Sequence, residues 1–167
     1  MAFLGKLRSQ RHYNLATSRF QSLSRGKSSS PTEDLDFCVI NFRKAIELND
    51  GFAEAHHNLG HVFILGAEYN EALSGIRDIS PEQTQQINSF NQDAYSDAVE
   101  AVEKAIRLRY QFPEAHNTLG KALIRLGRYD EALHEFEISL EQSPNYTTAI
   151  ENQEKLRRLL SLRDEGE

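Results

Sequence analysis

The sequence predicts an all-α fold built from a repeated unit, and three observations carry that expectation. Apolar residues recur at three- and four-residue spacing and almost never alternate, the pattern of helices buried along one face. Only four prolines and nine glycines punctuate 167 residues. A stretch of sequence also occurs twice, since Phe112-Pro113-Glu114-Ala115-His116-Asn117-Thr118-Leu119-Gly120 mirrors Phe52-Ala53-Glu54-Ala55-His56-His57-Asn58-Leu59-Gly60. The register, 60 residues apart, holds through Tyr69, Glu71, Ala72 and Leu73 against Tyr129, Glu131, Ala132 and Leu133.

Taken in chain order, the first expected helix carries Tyr13, Ala16, Thr17 and Phe20, large and small residues spaced to face a partner. That partner is the segment 35–48, where Leu35, Cys38, Val39, Phe42, Ala45 and Ile46 share one side. A Ser/Gly-rich connector, 24–32, separates the two. The third helix is expected over 53–66, with a further helical stretch over 69–79. Ser80-Pro81-Glu82-Gln83 is a helix-start signal: a hydroxyl cap, proline in the first turn and Gln in the reciprocal capping position. From there to Leu108 no glycine or further proline intervenes, so one long helix is expected over about 81–109, the alternative being a disordered polar loop over the Gln/Asn-rich stretch 83–92. The second-helix pattern also fits Tyr95, Ala98, Val102 and Ala105. After Pro113–Gln142, a last helix over 147–163 pairs Glu151 with Lys155 and Glu154 with Arg158 on its wet side.

The copy at 113–146 resembles the tetratricopeptide repeat (TPR), a 34-residue helix–turn–helix unit that stacks into a superhelix. His116, Leu119-Gly120 and Leu123 fill the pattern of its first helix, Gly127 and Tyr129 its turn, and Ala132, Phe136, Ser139 and Pro144 its second helix and exit. The resemblance implies a right-handed α–α superhelix of about three helix pairs with a C-terminal capping helix. On that frame the whole chain is one solenoid: repeat 1 at 10–52 with the 24–32 insertion, repeat 2 at 53–112 with an insertion over about 69–94, repeat 3 at 113–146, and a cap at 147–163.

Charge is split along the chain. Residues 1–32 hold six basic residues and no acid, while the remainder holds 13 basic against 25 acidic residues, so a +6 head sits on a −12 body and the total is −6. The head reads in three ways: an organelle transit peptide, a basic arm (Phe3, Leu4, Leu7) for an anionic membrane or nucleic acid, or part of the first repeat. The last is preferred, because the 35–48 helix otherwise lacks its partner. No run approaches the roughly 20 apolar residues of a membrane-spanning helix.

Catalytic chemistry finds no support in the residue pattern. There is no G-x-S-x-G, no phosphate-binding glycine loop and no H-E-x-x-H. Cys38, the one cysteine, excludes an internal disulfide and takes a small-residue slot, so it is expected to pack as a buried thiol. His57 and His61 stand four residues apart, with Glu54 a turn earlier, the best metal geometry available. No second ligand pair accompanies them, so no metal and no cofactor is expected. His56 and His116 share one slot in two copies and are expected to pack, as are Gly60 and Gly120. The Asn145-Tyr146-Thr147 sequon is expected to be a turn between repeats.

In the resembled family the first helices line a concave groove for a peptide or helix of a partner. The residues that would face it here are Arg11, Asn14, Ser18 and Gln21, then Glu54, His57, Asn58 and His61, then Glu114, Asn117, Lys121 and Arg125. Chaperone-adaptor members grip a C-terminal carboxylate with two Lys, two Asn and one Arg. Asn58 fits that set, but Asn14 and Ser18 take the first pair of slots, and Glu114 and Thr118 the last, where an acid defeats carboxylate capture. The expected function is thus a non-catalytic, cytoplasmic scaffold or assembly adaptor for a protein or peptide. The alternatives are a basic-armed factor at a membrane or nucleic acid, an organelle-targeted protein, or a regulatory segment of a larger system. The acidic body argues against nucleic acid.

Overall fold

A computed structural model describes residues 2–75 and 79–164, and seven helices account for almost all of them: α1 (Ala2–Ser24), α2 (Pro31–Leu48), α3 (Ala53–Ser74), α4 (Pro81–Leu108), α5 (Pro113–Arg125), α6 (Tyr129–Gln142) and α7 (Thr147–Asp164). The helix boundaries follow from local chemistry. Pro31, Pro81 and Pro113 each open a helix, where a missing N–H costs nothing. At Ser80 the capping box is complete: the Gln83 N–H donates to the serine hydroxyl at 3.3 Å, and the Ser80 N–H to the Gln83 side chain at 2.9 Å.

α1 and α5 end alike. Gly26 (φ 64°) and Gly127 (φ 74°) take the left-handed conformation, and the next residue donates back to the helix, Lys27 N–H to Ser22 O and Arg128 N–H to Leu123 O, both at 2.9 Å. α3 does not end there. The position matching Gly127 is Ala67, which is fully buried and helical, so nothing turns the chain and α3 runs on to Ser74. The expectation of a helix ending at Gly66 and a separate one over 69–79 is corrected by that single residue. Residues 76–78 of the expected stretch lie outside the described residues. α4 runs as one helix through the polar segment 83–92.

Successive helices pack as α1 on α2, α3 on α4 and α5 on α6, and these pairs stack through α2–α3, α4–α5 and α6–α7. α1 also touches α3, α3 touches α5 and α5 touches α7. Among the described residues, no such contact joins α2 to α4 or α4 to α6. The odd-numbered helices therefore form the inner row of a curved array. The core comprises two apolar clusters, one around Phe20, Cys38, Phe42 and Val62, the other around Val102, Leu119, Phe136 and Leu156. Cys38 is fully buried 3.5 Å from the Ala16 carbonyl, and burial pushes its thiol pKa up to about 12. Such a thiol packs as a small apolar group and is not a nucleophile.

Two glycines set the closest approaches. A Cβ on Gly120 would stand 2.5–2.9 Å from three ring atoms of Phe136, and one on Gly60 would stand 2.5 Å from Val102 Cγ2 and 2.9 Å from the Ala98 carbonyl. Both sit in the Leu-Gly pair of the duplicated motif, so the motif marks where paired helices touch.

Candidate functional site

The inner row brings α3 and α5 residues into direct contact. His57 Nε2 lies 3.0 Å from Thr118 Oγ1, and the Thr118 hydroxyl donates to the Glu114 carbonyl at 2.8 Å. With its own proton committed, the Thr118 oxygen accepts, so His57 is the neutral tautomer protonated at Nε2. The His57 ring packs 4.8 Å from Phe112, the residue that precedes α5, and 6.2 Å from His61. His61 stands edge-on to Phe20 of α1 at 5.0 Å. Burial drives the His57 pKa down to about 4 and that of His61 to about 3, the latter helped by the nearby Lys121 charge and by His57 itself. Both imidazoles are neutral at physiological pH.

The α1–α3 junction is tied in the same manner. Asn58 Nδ2 donates to the Tyr13 hydroxyl at 3.1 Å, and the Tyr13 ring packs 4.6 Å from Phe52. Phe52 and Phe112 thus repeat one role, each resting on an aromatic or imidazole ring of the preceding inner helix. At the rim, Glu54 pairs with Arg109 at 2.6 Å, and the Arg109 guanidinium lies 3.7 Å from the centre of the Phe112 ring. Arg11, Asn14 and Ser18 share the exposed side of α1, with Gln10 donating to the Asn14 side chain at 2.9 Å.

Two residues expected in the groove are spent within the fold. Asn117 is buried, and its side-chain oxygen accepts from Asn152 of α7 at 2.9 Å. Arg125 pairs with Glu71 and donates from Nε to the Tyr95 hydroxyl at 2.9 Å, which itself donates to Glu71 at 2.9 Å. Glu114 remains exposed and Lys121 half-buried. His56 and His116 are buried, the first 3.0 Å from the Asp50 carbonyl, the second 2.7 Å from Glu135. Among the described residues, no three His, Cys, Asp or Glu side chains gather as metal ligands. No described helix is long and apolar enough to cross a membrane.

Sequence reasoning missed Tyr13, Phe52, Phe112 and Asn152 as parts of this surface, and placed Thr118 only in a slot of the carboxylate set. A signal existed for the phenylalanines, which stand immediately before both copies of the motif. None existed for Asn152, whose partner lies in a helix that does not repeat.

A curved array with its odd helices inside defines a helical-repeat solenoid. A family model described as tetratricopeptide repeat matches residues 113–146. The chain is also similar in structure to the TPR domain of Arabidopsis OM64, at 18% identity and a TM-score of 0.68 over 92% of this chain and 98% of that one. It resembles the first TPR of Spaghetti (RPAP3) bound to the HSP90 peptide SRMEEVD, at 15% identity and a TM-score of 0.65 over 93% and 95%. The Sgt2 TPR domain of Aspergillus fumigatus aligns at 12% identity and a TM-score of 0.67 over 94% and 82%. No curated protein matches the sequence. Residues 113–146 are a tetratricopeptide repeat, and the chain as a whole has the fold of TPR domains.

Proposed function

We propose that the chain is a non-catalytic binding module that holds a peptide or helix of a protein partner in the concave face of three helix pairs, 10–52, 53–112 and 113–146, closed by the helix at 147–163. The observation that carries this reading is the inner row itself. Neutral His57 and His61, Asn58 and the ring of Tyr13 line the face across α1 and α3, with the buried Phe112 ring packed beneath His57 just ahead of α5. Glu54, Glu114, Lys121, Arg11, Asn14 and Ser18 stand around that face. Binding of a chaperone peptide by a protein of the same fold supports such a use of the face.

The occupant differs in chemistry from one gripped by its terminal carboxylate. Glu114 is exposed where a lysine would be needed, and the Thr118 hydroxyl is already engaged. Recognition rests instead on neutral donors and acceptors over an aromatic floor, which suits a polar backbone with interspersed apolar side chains. Asn117 and Arg125 serve the fold and are left out of the contact set.

Selection from a random peptide library on the immobilised chain tests this. Selected peptides are expected to lose affinity by about tenfold or more on Asn58→Ala/Lys121→Glu. Peptides that bind that double variant as tightly as the parent chain would refute the assignment.

A further inference from the structure

The face of α1 turned away from α3 has its side chains arranged in reverse. Toward α2 this helix presents small residues: Ser9 is fully buried, its hydroxyl donating to the Ala45 carbonyl at 2.7 Å, and Ala16 is fully buried. A Cβ on Gly5 would lie 3.6 Å from the Leu48 carbonyl, so the first turns are held close to α2. The large apolar residues Leu4, Leu7 and Leu15 are 55%, 60% and 45% exposed. Tyr13 and Phe20 mark the side facing α3. Leu4, Arg11 and Leu15 lie about half a turn from Tyr13, at roughly 100° per residue, on the open end of the array.

Cations flank these leucines. Lys6, Arg8 and Arg11 are exposed, and among the described residues none has a carboxylate within ion-pair distance, whereas Arg19 is taken by Asp34. No acid occurs before Glu33. Three leucines among unpaired cations on one exposed face of the end helix make a surface complementary to an anionic, apolar plane. Leucines enter the acyl boundary while arginine and lysine stems reach back to the headgroups.

Other occupants fit less well. A coiled-coil seam through Leu4 and Leu7 would continue into Arg11, Asn14 and Ser18, which are polar and pack no partner helix. Two copies pairing through this face would set Arg8 and Arg11 against their own kind. Phosphates of a nucleic acid would satisfy the cations and leave the leucines in water.

We infer that the α1 face formed by Leu4, Leu7 and Leu15 with Lys6, Arg8 and Arg11 docks on an anionic lipid surface. The groove reading does not depend on it, although the two surfaces adjoin and share Arg11, so the variants that test docking leave Arg11, Asn14 and Ser18 unchanged. Vesicle flotation of the full chain tests it, with phosphatidylcholine alone or with roughly 30% phosphatidylserine. About tenfold more protein is expected on the anionic vesicles at about 0.1 M salt. The variants Leu7→Gln/Leu15→Gln and Lys6→Gln/Arg8→Gln are each expected to reduce that binding about tenfold. Both change exposed side chains, and an unchanged thermal melt shows that each is folded. Equal binding to the two compositions, or no binding, overturns the inference. So does full binding by the leucine variant, tighter binding to single-stranded RNA, or a dimer that the leucine variant dissolves.

Discussion

His57 and His61 make the stability of the array depend on pH in a defined direction. In the unfolded chain each imidazole titrates near 6.5, whereas in the fold burial holds them at about 4 and about 3. Between those limits the unfolded state binds more protons, so stability rises with pH through this window. Stability is whole above about pH 6.5 and is lost as pH falls toward the folded values. At about pH 5 each histidine lies roughly 1.5 units below its unfolded pKa and still above its folded one, which is worth about 2 kcal/mol apiece. For the pair, a loss of about 4 kcal/mol between about pH 8 and pH 5 is a ceiling, and a large share of a typical folding free energy. The assay is urea unfolding across that range for the parent chain and for His57→Gln/His61→Phe. Gln keeps a donor toward Thr118, and Phe keeps a ring against Phe20. His56, whose pKa burial also lowers, is common to both proteins and cancels. The double variant is expected to show a shallower dependence, whatever its stability at high pH. Parallel curves for the two proteins would refute the assignment of two half-buried neutral imidazoles with lowered pKa values.

Two further predictions concern packing. Gly120→Ala gains about 1 kcal/mol of helix propensity but drives a methyl into the buried Phe136 ring, an overpacking cost of about 1–3 kcal/mol. A lower thermal midpoint is expected, partly restored by Phe136→Leu. Gly60→Ala is expected to cost more, and Val102→Ala to restore less, because the Ala98 carbonyl is backbone and does not rotate away; single variants that melt at or above the parent would contradict both. Asn91 is buried on α4 with neither amide atom hydrogen-bonded, so Asn91→Leu is expected to stabilise the chain by about 1–2 kcal/mol in urea unfolding, and a loss of stability would show that the amide is satisfied.

The sequence displayed the repeat wherever packing demanded a particular residue. Gly60 and Gly120 had to be glycine because of Val102 and Phe136, so the Leu-Gly motif was visible without coordinates. The Ser80–Gln83 box announced the start of α4 for the same reason, since few residue pairs satisfy two orphan N–H groups. The continuation of α3 was harder to read, because it rests on the absence of a signal: alanine at 67 where the other copy has Gly127. Along the inner row, helical spacing identified the face but not the state of its side chains. Asn117 and Arg125 lie at positions that face a groove, yet Asn152 and Glu71 claim them, and those partners lie 35 and 54 residues away.

That prior commitment bears on how the concave face acts. Asn58 is held by Tyr13 and His57 by Thr118, and His61 stands edge-on to Phe20. A binding surface whose groups are already fixed loses little side-chain entropy when occupied, so a modest number of contacts gives useful affinity. The same burial that fixes the histidines keeps them uncharged, since their folded pKa values lie at about 4 and about 3. At physiological pH and down to about pH 5 the folded imidazoles lie above their own pKa values, so the floor stays neutral over that range. Charge selection is therefore left to Glu54, Glu114, Lys121 and Arg11 at the edges. Shape and neutral hydrogen bonding decide what lies along the middle.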